Sequence, residues 1–248
     1  MANWNDPRTT REGFGVSPSL NGAVAAGDRF DAGLRRHMLS IYNYMASGVL
    51  LSGVVALLFA NSGMAAAVLG SGLGLVLAFS PLVIVLAMSF GANRFSAGTL
   101  QALFWGFAVL MGLSLSSIFL MYTGASVAAT FFATAGAFAG LSLYGYTTKK
   151  DLSGWGSFLI MGVIGLLIAS VINIFLQSPA LMWAVSFLGV LIFAGLTAYD
   201  TQMLKRQYDT VRGTEWAAKA VILGALNLYL DFINMFMFLL RFMGTSRD

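Results

Sequence analysis

Apolar residues along this chain neither alternate nor recur on one helical face. They fill long, nearly unbroken runs separated by short polar turns. A helix apolar all round is either deeply buried or faces lipid. Crossing about 30 Å of hydrocarbon takes about 20 such residues. Seven segments qualify, at 38–60, 65–91, 99–122, 125–147, 153–177, 180–204 and 217–243. The second is glycine-rich at Gly70, Gly72 and Gly74, and Pro81 predicts a kink in it.

The basic residues divide the intervening turns into two kinds. Cytoplasmic loops collect Lys and Arg. The N-terminal segment carries Arg8, Arg11, Arg29, Arg35 and Arg36. The turns near Ser62, Thr123 and Ser178 carry no basic residue. The alternate turns hold Arg94, then Lys149 and Lys150, then Lys205, Arg206, Arg212 and Lys219. This alternation supports seven crossings with the N-terminus in the cytoplasm. The last span is the exception, because a full crossing puts Arg241 and Arg247 outside. Crossing is favoured over re-entry. Residues 1–36 are polar, lack the apolar stretch of a secretory signal and read as a disordered cytoplasmic tail. Residues 37–248 then form a seven-helix membrane domain.

Composition agrees with an all-α integral membrane protein. Of 248 residues, 10% are charged and 58% apolar, against about 25% charged in soluble domains. Mean hydropathy is +0.80. The chain has no cysteine, which excludes disulfides, thiol catalysis and zinc–thiolate sites. Its single histidine, His37, excludes a His-cluster metal site and reads as an interfacial residue. The net charge of +4 reflects loop placement and implies no nucleic-acid partner. No internal repeat is visible, which argues against inverted-repeat transporters.

Two acids fall inside apolar spans, Asp200 and Asp231. A carboxylate at the centre of a membrane helix costs about 2.5–3.5 kcal/mol on insertion scales, so each needs a partner or a task. Asn227, Asp231, Asn234 and Arg241 are spaced to form one polar stripe on the last helix. The stripe alone also fits polar glue between helices. Asp200 lies near the cytoplasmic end of span six, where it could reach water or pair with Lys205. Folding spans six and seven about a loop centred near Arg212 puts Asp200 opposite Gly224, so pairing with Asp231 requires a shift. If the carboxyls meet, they cannot both ionise and share a proton. Such a pair is a proton-controlled latch, and it could also recruit a hard cation such as calcium. Arg94 is a candidate counter-charge, and Asn173 and Gln101 are candidate interior polar groups. Gly136 and Gly140 form a close-packing signal in span four.

The segment Ala198-Tyr199-Asp200-Thr201-Gln202, then Leu226-Asn227-Leu228-Tyr229-Leu230-Asp231-Phe232-Ile233-Asn234 and Leu239-Leu240-Arg241-Phe242, resembles the C-terminal signature of the transmembrane Bax inhibitor motif family, bacterial branch. Lys149-Lys150-Asp151-Leu152-Ser153 also fits, and the resemblance covers about residues 30–244. It implies seven helices with the last one central. It also implies a pH-sensitive calcium leak governed by a paired-aspartate sensor, Asp200 and Asp231, with calcium as the transported ion and no cofactor. An arginine near the start of span three matches Arg94 in place, with the less basic flanks Asn93 and Phe95. Span two carries no acid, unlike some relatives.

Other readings fit less well. An intramembrane aspartyl protease places one Asp on each of two helices, the first after Tyr, as in Tyr199-Asp200. Its second Asp follows Gly-x-Gly, whereas Asp231 follows Tyr229-Leu230. A retinal protein needs a lysine that residues 220–244 lack, and His37 lies too early for a serine-type intramembrane protease. No enzyme is expected. A non-transporting scaffold that binds membrane proteases or other membrane proteins remains as the alternative, but leaves the buried acids unexplained. Membrane lipids and cations are the expected partners.

Overall fold

In the computed structural model the backbone is described for residues 20–247 and the side chains for residues 32–247. Eight α-helices and no strand occur among the described residues. They are α1 (Leu20–Asn61), α2 (Ala65–Leu69), α3 (Gly72–Gly91), α4 (Ala97–Met121), α5 (Gly124–Thr147), α6 (Ser153–Leu176), α7 (Pro179–Val211) and α8 (Trp216–Met243). Seven are long and apolar enough to cross a membrane, all but α2. From His37 onward the chain is one compact unit.

Three elements differ from the sequence expectation. The expected tail over 1–36 lies outside the described residues up to position 19, but from Leu20 the backbone is helical. Ala23, Ala25 and Ala26, with no proline between Leu20 and Asn61, favour helix there. The second span is not one helix. Ser71 breaks it, its extended backbone allowing the side chain to cap α3 by accepting from the Leu73 N–H at 3.2 Å. Pro81 lies buried inside α3 without ending it. The sixth span runs on to Val211. At 33 residues, α7 is roughly 50 Å long and overreaches the hydrocarbon. Good helix formers at Gln202, Met203, Leu204, Lys205 and Arg206 carry it on. It stops before Gly213, whose φ of +74° suits glycine.

Side-chain caps also set the starts of α4, α5 and α7. Ser96, Thr123 and Ser178 accept from the N–H groups of Thr99, Ser126 and Leu181. These caps satisfy backbone donors where water is scarce.

The last helix is central. Its most apolar stretch is 61% buried, against 11–33% for the other six spans. It packs on α4, α5 and α7, most extensively on α7. The outer helices instead present bulky apolar side chains outward, such as Phe175 at 83% exposure. That distribution suits a lipid solvent and no other.

Two ends of the bundle can be told apart. At one, the Lys219 ammonium donates to the Ala92 carbonyl in the α3–α4 turn, and Gln202 holds the α5–α6 loop. At the other, the chain after α8 clips onto the α4–α5 turn. The Thr123 N–H donates to Thr245 O, the Arg247 N–H to Met121 O, and Tyr122 pairs with Ser246. Helix α8 is therefore one unbroken helix of 28 residues joining the two ends of the bundle, long and apolar enough to cross a membrane.

Candidate functional site

The hairpin of α7 and α8 is built for close approach. A Cβ on Gly189 would meet the Phe238 ring at 2.5 Å, and one on Gly224 would meet Leu204 at 2.8 Å. These two glycines, on opposite helices and at opposite ends of the contact, let the backbones come together along most of their shared length. The turn between the helices covers Arg212 to Glu215, so Asp200 lies level with Asn227 rather than Gly224. Asp231 is one helical turn further, about 6 Å along the axis. Side chains on a helix lean toward its N-terminus. On α7 that carries Asp200 away from the turn, and on antiparallel α8 it carries Asp231 toward the turn. The two leanings close the offset, and the carboxyls meet in hydrogen-bonding contact.

Asp231 is 4% exposed, and its Oδ2 is buried without a hydrogen-bond partner. Asp200 is half-buried. The cations nearest to Asp200 along α7 are committed elsewhere. The Lys205 ammonium donates to Tyr146 O at 2.8 Å and sits over the Tyr146 ring, and Arg206 pairs with Asp151 at 2.7 Å. The pairing of Asp200 with Lys205 open from the sequence is thus replaced by pairing with Asp231. Phe232, next to Asp231, is wedged between Phe131 and Phe138 of α5, each 5.6 Å away between centroids. These ring contacts pack α8 against α5.

The other candidate residues divide. Asn227 lies one helical turn before Asp231 on α8. It lines an open crevice of about 610 Å3 between α3, α7 and α8, with Ser89, Arg206, Gln207 and Thr210 nearby. Asn234 turns back on its own helix and donates to Leu230 O at 2.8 Å. Arg241 is exposed in the last turn, 5.9 Å over the Phe238 ring. Arg94 is exposed in the α3–α4 turn and does not serve as a counter-charge to the pair. Asn173 is a local fastener, its side chain accepting from the Ser178 N–H at 3.0 Å across the α6–α7 turn. Gln101 is exposed. The Gly136–Gly140 motif faces open space, for a Cβ at either position meets nothing within 4 Å. Gly145 makes the close approach instead, lying directly on the Ala198 backbone two residues before Asp200. His37, expected at the membrane interface, is buried at 7% exposure, with its ring 5.2 Å from that of Tyr208.

Two groups of residues escaped sequence reading. Gln202, two residues after Asp200, clamps the α5–α6 loop with both ends of its amide. Its Oε1 accepts from Leu152 N–H and its Nε2 donates to Lys150 O, each at 2.8 Å. Asp151 extends the clamp. The Ser153 backbone N–H, the Ser153 hydroxyl and the Arg206 guanidinium, in that order, hold its carboxyl down to about 2. The only signal was a glutamine inside a helix otherwise bound for lipid. The second group is Tyr229 with Ser52. The Tyr229 hydroxyl lies 2.7 Å from Ser52 Oγ, which donates to Ala108 O at 2.6 Å, and so joins α8 to α1 and α4. A lone serine in an apolar span carries no such signal.

Among the described residues no three His, Cys, Asp or Glu side chains gather as a metal site. A cation at the pair would have two carboxyls to draw on and would need carbonyl oxygens or water to complete its shell.

Comparison with known proteins accords with this architecture. Residues 34–248 match the protein family described as inhibitor of apoptosis-promoting Bax1. A Caulobacter vibrioides protein is 52% identical over 231 residues, covering 88% of this chain and 92% of its own. The inner membrane protein YbhL of Escherichia coli K12 is 50% identical over 223 residues, covering 87% and 94%. A Rickettsia prowazekii protein is 46% identical over 220 residues, covering 88% and 93%. With its seven membrane-length helices, a central α8 and this match over nearly its whole compact unit, the chain is a multi-pass membrane protein of the Bax inhibitor-1 family.

Proposed function

We propose that the protein lets cations, calcium foremost, leak down their gradient through a pathway gated by the proton shared between Asp200 and Asp231. The observation that carries this reading is the contact of the two carboxyls between α7 and α8, with Asp231 Oδ2 buried and unpartnered. Two carboxyls in contact away from water hold a proton between them. Once it leaves, two unit charges about 4 Å apart repel by about 4 kcal/mol at an effective dielectric of about 20. That repulsion either separates the helices or draws a cation into the proton's place. The crevice between α3, α7 and α8 supports the route, since Asn227 on its wall is one turn, about 6 Å, from Asp231. The membrane is taken to be the bacterial inner membrane, in line with the E. coli relative. The end bearing Arg94, Lys149, Lys150 and Lys219 is taken as cytoplasmic.

The test is flux into liposomes holding the purified protein, with calcium, sodium, potassium and magnesium compared across pH 5–8. A steep pH response in calcium flux is expected. Flux no greater than in empty liposomes, or flat with pH, removes the gate.

A further inference from the structure

A second cavity lies on the far side of α8 from the carboxyl pair, and the proposed leak does not use it. It measures about 480 Å3 and is enclosed by α1, α4, α5 and α8. It exists because α4 and α5, though consecutive, barely touch. Along α1 it extends from Val49 to Asn61, roughly 18 Å, which is about the depth of one leaflet's hydrocarbon. Its walls are apolar, and its flank is open to the lipid-facing surface, where Leu57 is 47% and Phe132 74% exposed. Its mouth, at the end of the bundle away from the Lys- and Arg-rich loops, carries Arg247.

That arginine is held in place. Its backbone N–H donates to Met121 O at 2.9 Å and its Nη1 to Phe119 O at 2.8 Å. Among the described residues no carboxylate pairs with it. A guanidinium has five N–H donors, so most remain for an anion. An ordered, exposed cation thus tops an apolar slot of acyl-chain length that opens sideways into lipid. We propose that this slot binds one acyl chain of an anionic phospholipid, with the phosphate resting on Arg247. The inference is independent of the leak and uses another face of α8.

Nanodisc and detergent preparations of the full chain test it. After extensive detergent washing, native mass spectrometry reads retained lipid, with dipalmitoyl phosphatidylglycerol and phosphatidylcholine supplied in equal amounts. The wild type should retain about one phosphatidylglycerol per chain and prefer it about fivefold, because both lipids offer a phosphate but the choline of phosphatidylcholine adds a cation that repels Arg247. Arg247→Gln, which keeps a donor for Phe119 O, should erase the preference while retaining lipid. Gly53→Leu should lose the lipid altogether. A Cβ at Gly53 meets nothing within 4 Å, and leucine favours helix over glycine, so folding should be unharmed. Thermal unfolding of each variant without lipid checks that. Glycerol 3-phosphate and inorganic phosphate, which have a phosphate but no chain, should give no stabilisation. Equal retention of both lipids by all three proteins, or stabilisation by phosphate alone, overturns the proposal.

Discussion

Replacing Asp231 by asparagine separates a gate from a structural contact. The side chain is 4% exposed, and one of its oxygens has no partner. An ionised carboxylate in that position costs about 2.5–3.5 kcal/mol on insertion scales. Asparagine is nearly the same shape, removes the charge and offers two N–H donors. One can donate to the Asp200 carboxylate, a bond worth about 1.5–3 kcal/mol to a charged acceptor. The repulsion of about 4 kcal/mol at an effective dielectric of about 20 then never arises. Asp231→Asn should therefore be as stable as wild type, or up to about 1 kcal/mol more stable at neutral pH. For a chain of this size that is a rise of about 2–4 °C in Tm. The helices should stay closed whatever the pH, so calcium flux should fall toward the empty-liposome level and lose its pH response. Calcium-dependent stabilisation should vanish with it. Asp200→Asn should mainly shift the pH midpoint, because Asp200 is only half-buried whereas Asp231 is 4% exposed. The assays are thermal unfolding in detergent and liposome flux per folded molecule. If Asp231→Asn expresses poorly while flux per folded molecule keeps the wild-type pH slope, the pair is structural glue and the gate is refuted.

Other consequences are equally direct. Single cysteines at positions 150 and 246 of this cysteine-free chain should differ toward an impermeant thiol reagent added outside intact cells. Position 246 should label and 150 should not, and the reverse inverts the proposed orientation. Gly145→Leu should destabilise by about 1–3 kcal/mol by overpacking against the Ala198 backbone, whereas Gly136→Leu should be tolerated, as thermal unfolding of both will tell. Gln202→Leu should free the α5–α6 loop by removing both of its bonds, seen as faster hydrogen exchange at Leu152, and unchanged exchange counts against the clamp. The Asp151 carboxyl is held down to about 2 from 3.8. Its contribution to the clamp is therefore complete above about pH 4 and is lost as pH falls through about 2. Exchange at Ser153, corrected for its intrinsic pH dependence, should rise in that window and no higher, and Asp151→Asn should abolish the change.

The sequence by itself determined the solvent, the number of membrane-length helices and the two acids. Long uncharged runs can only face lipid, and the cost of a carboxylate there marks Asp200 and Asp231 before any contact is known. The motifs around those acids likewise carried the family. What the sequence left open was where each helix starts and stops and which face meets which neighbour. The break at Ser71 and the length of α7 depend on a single cap and on a few residues beyond the membrane. The register of the α7–α8 hairpin depends on where its turn lies, and a shift of less than two residues there moved the residue opposite Asp200 from Gly224 to Asn227. Tertiary structure also decided which glycine is the close-packing one, because GxxxG spacing says that two glycines share a face and not what that face meets. It decided that Arg94 and Asn173 stand away from the pair, since distance along a chain does not fix distance across a bundle. The contact of the two carboxyls is itself a tertiary fact, made by the opposed leaning of side chains on antiparallel helices.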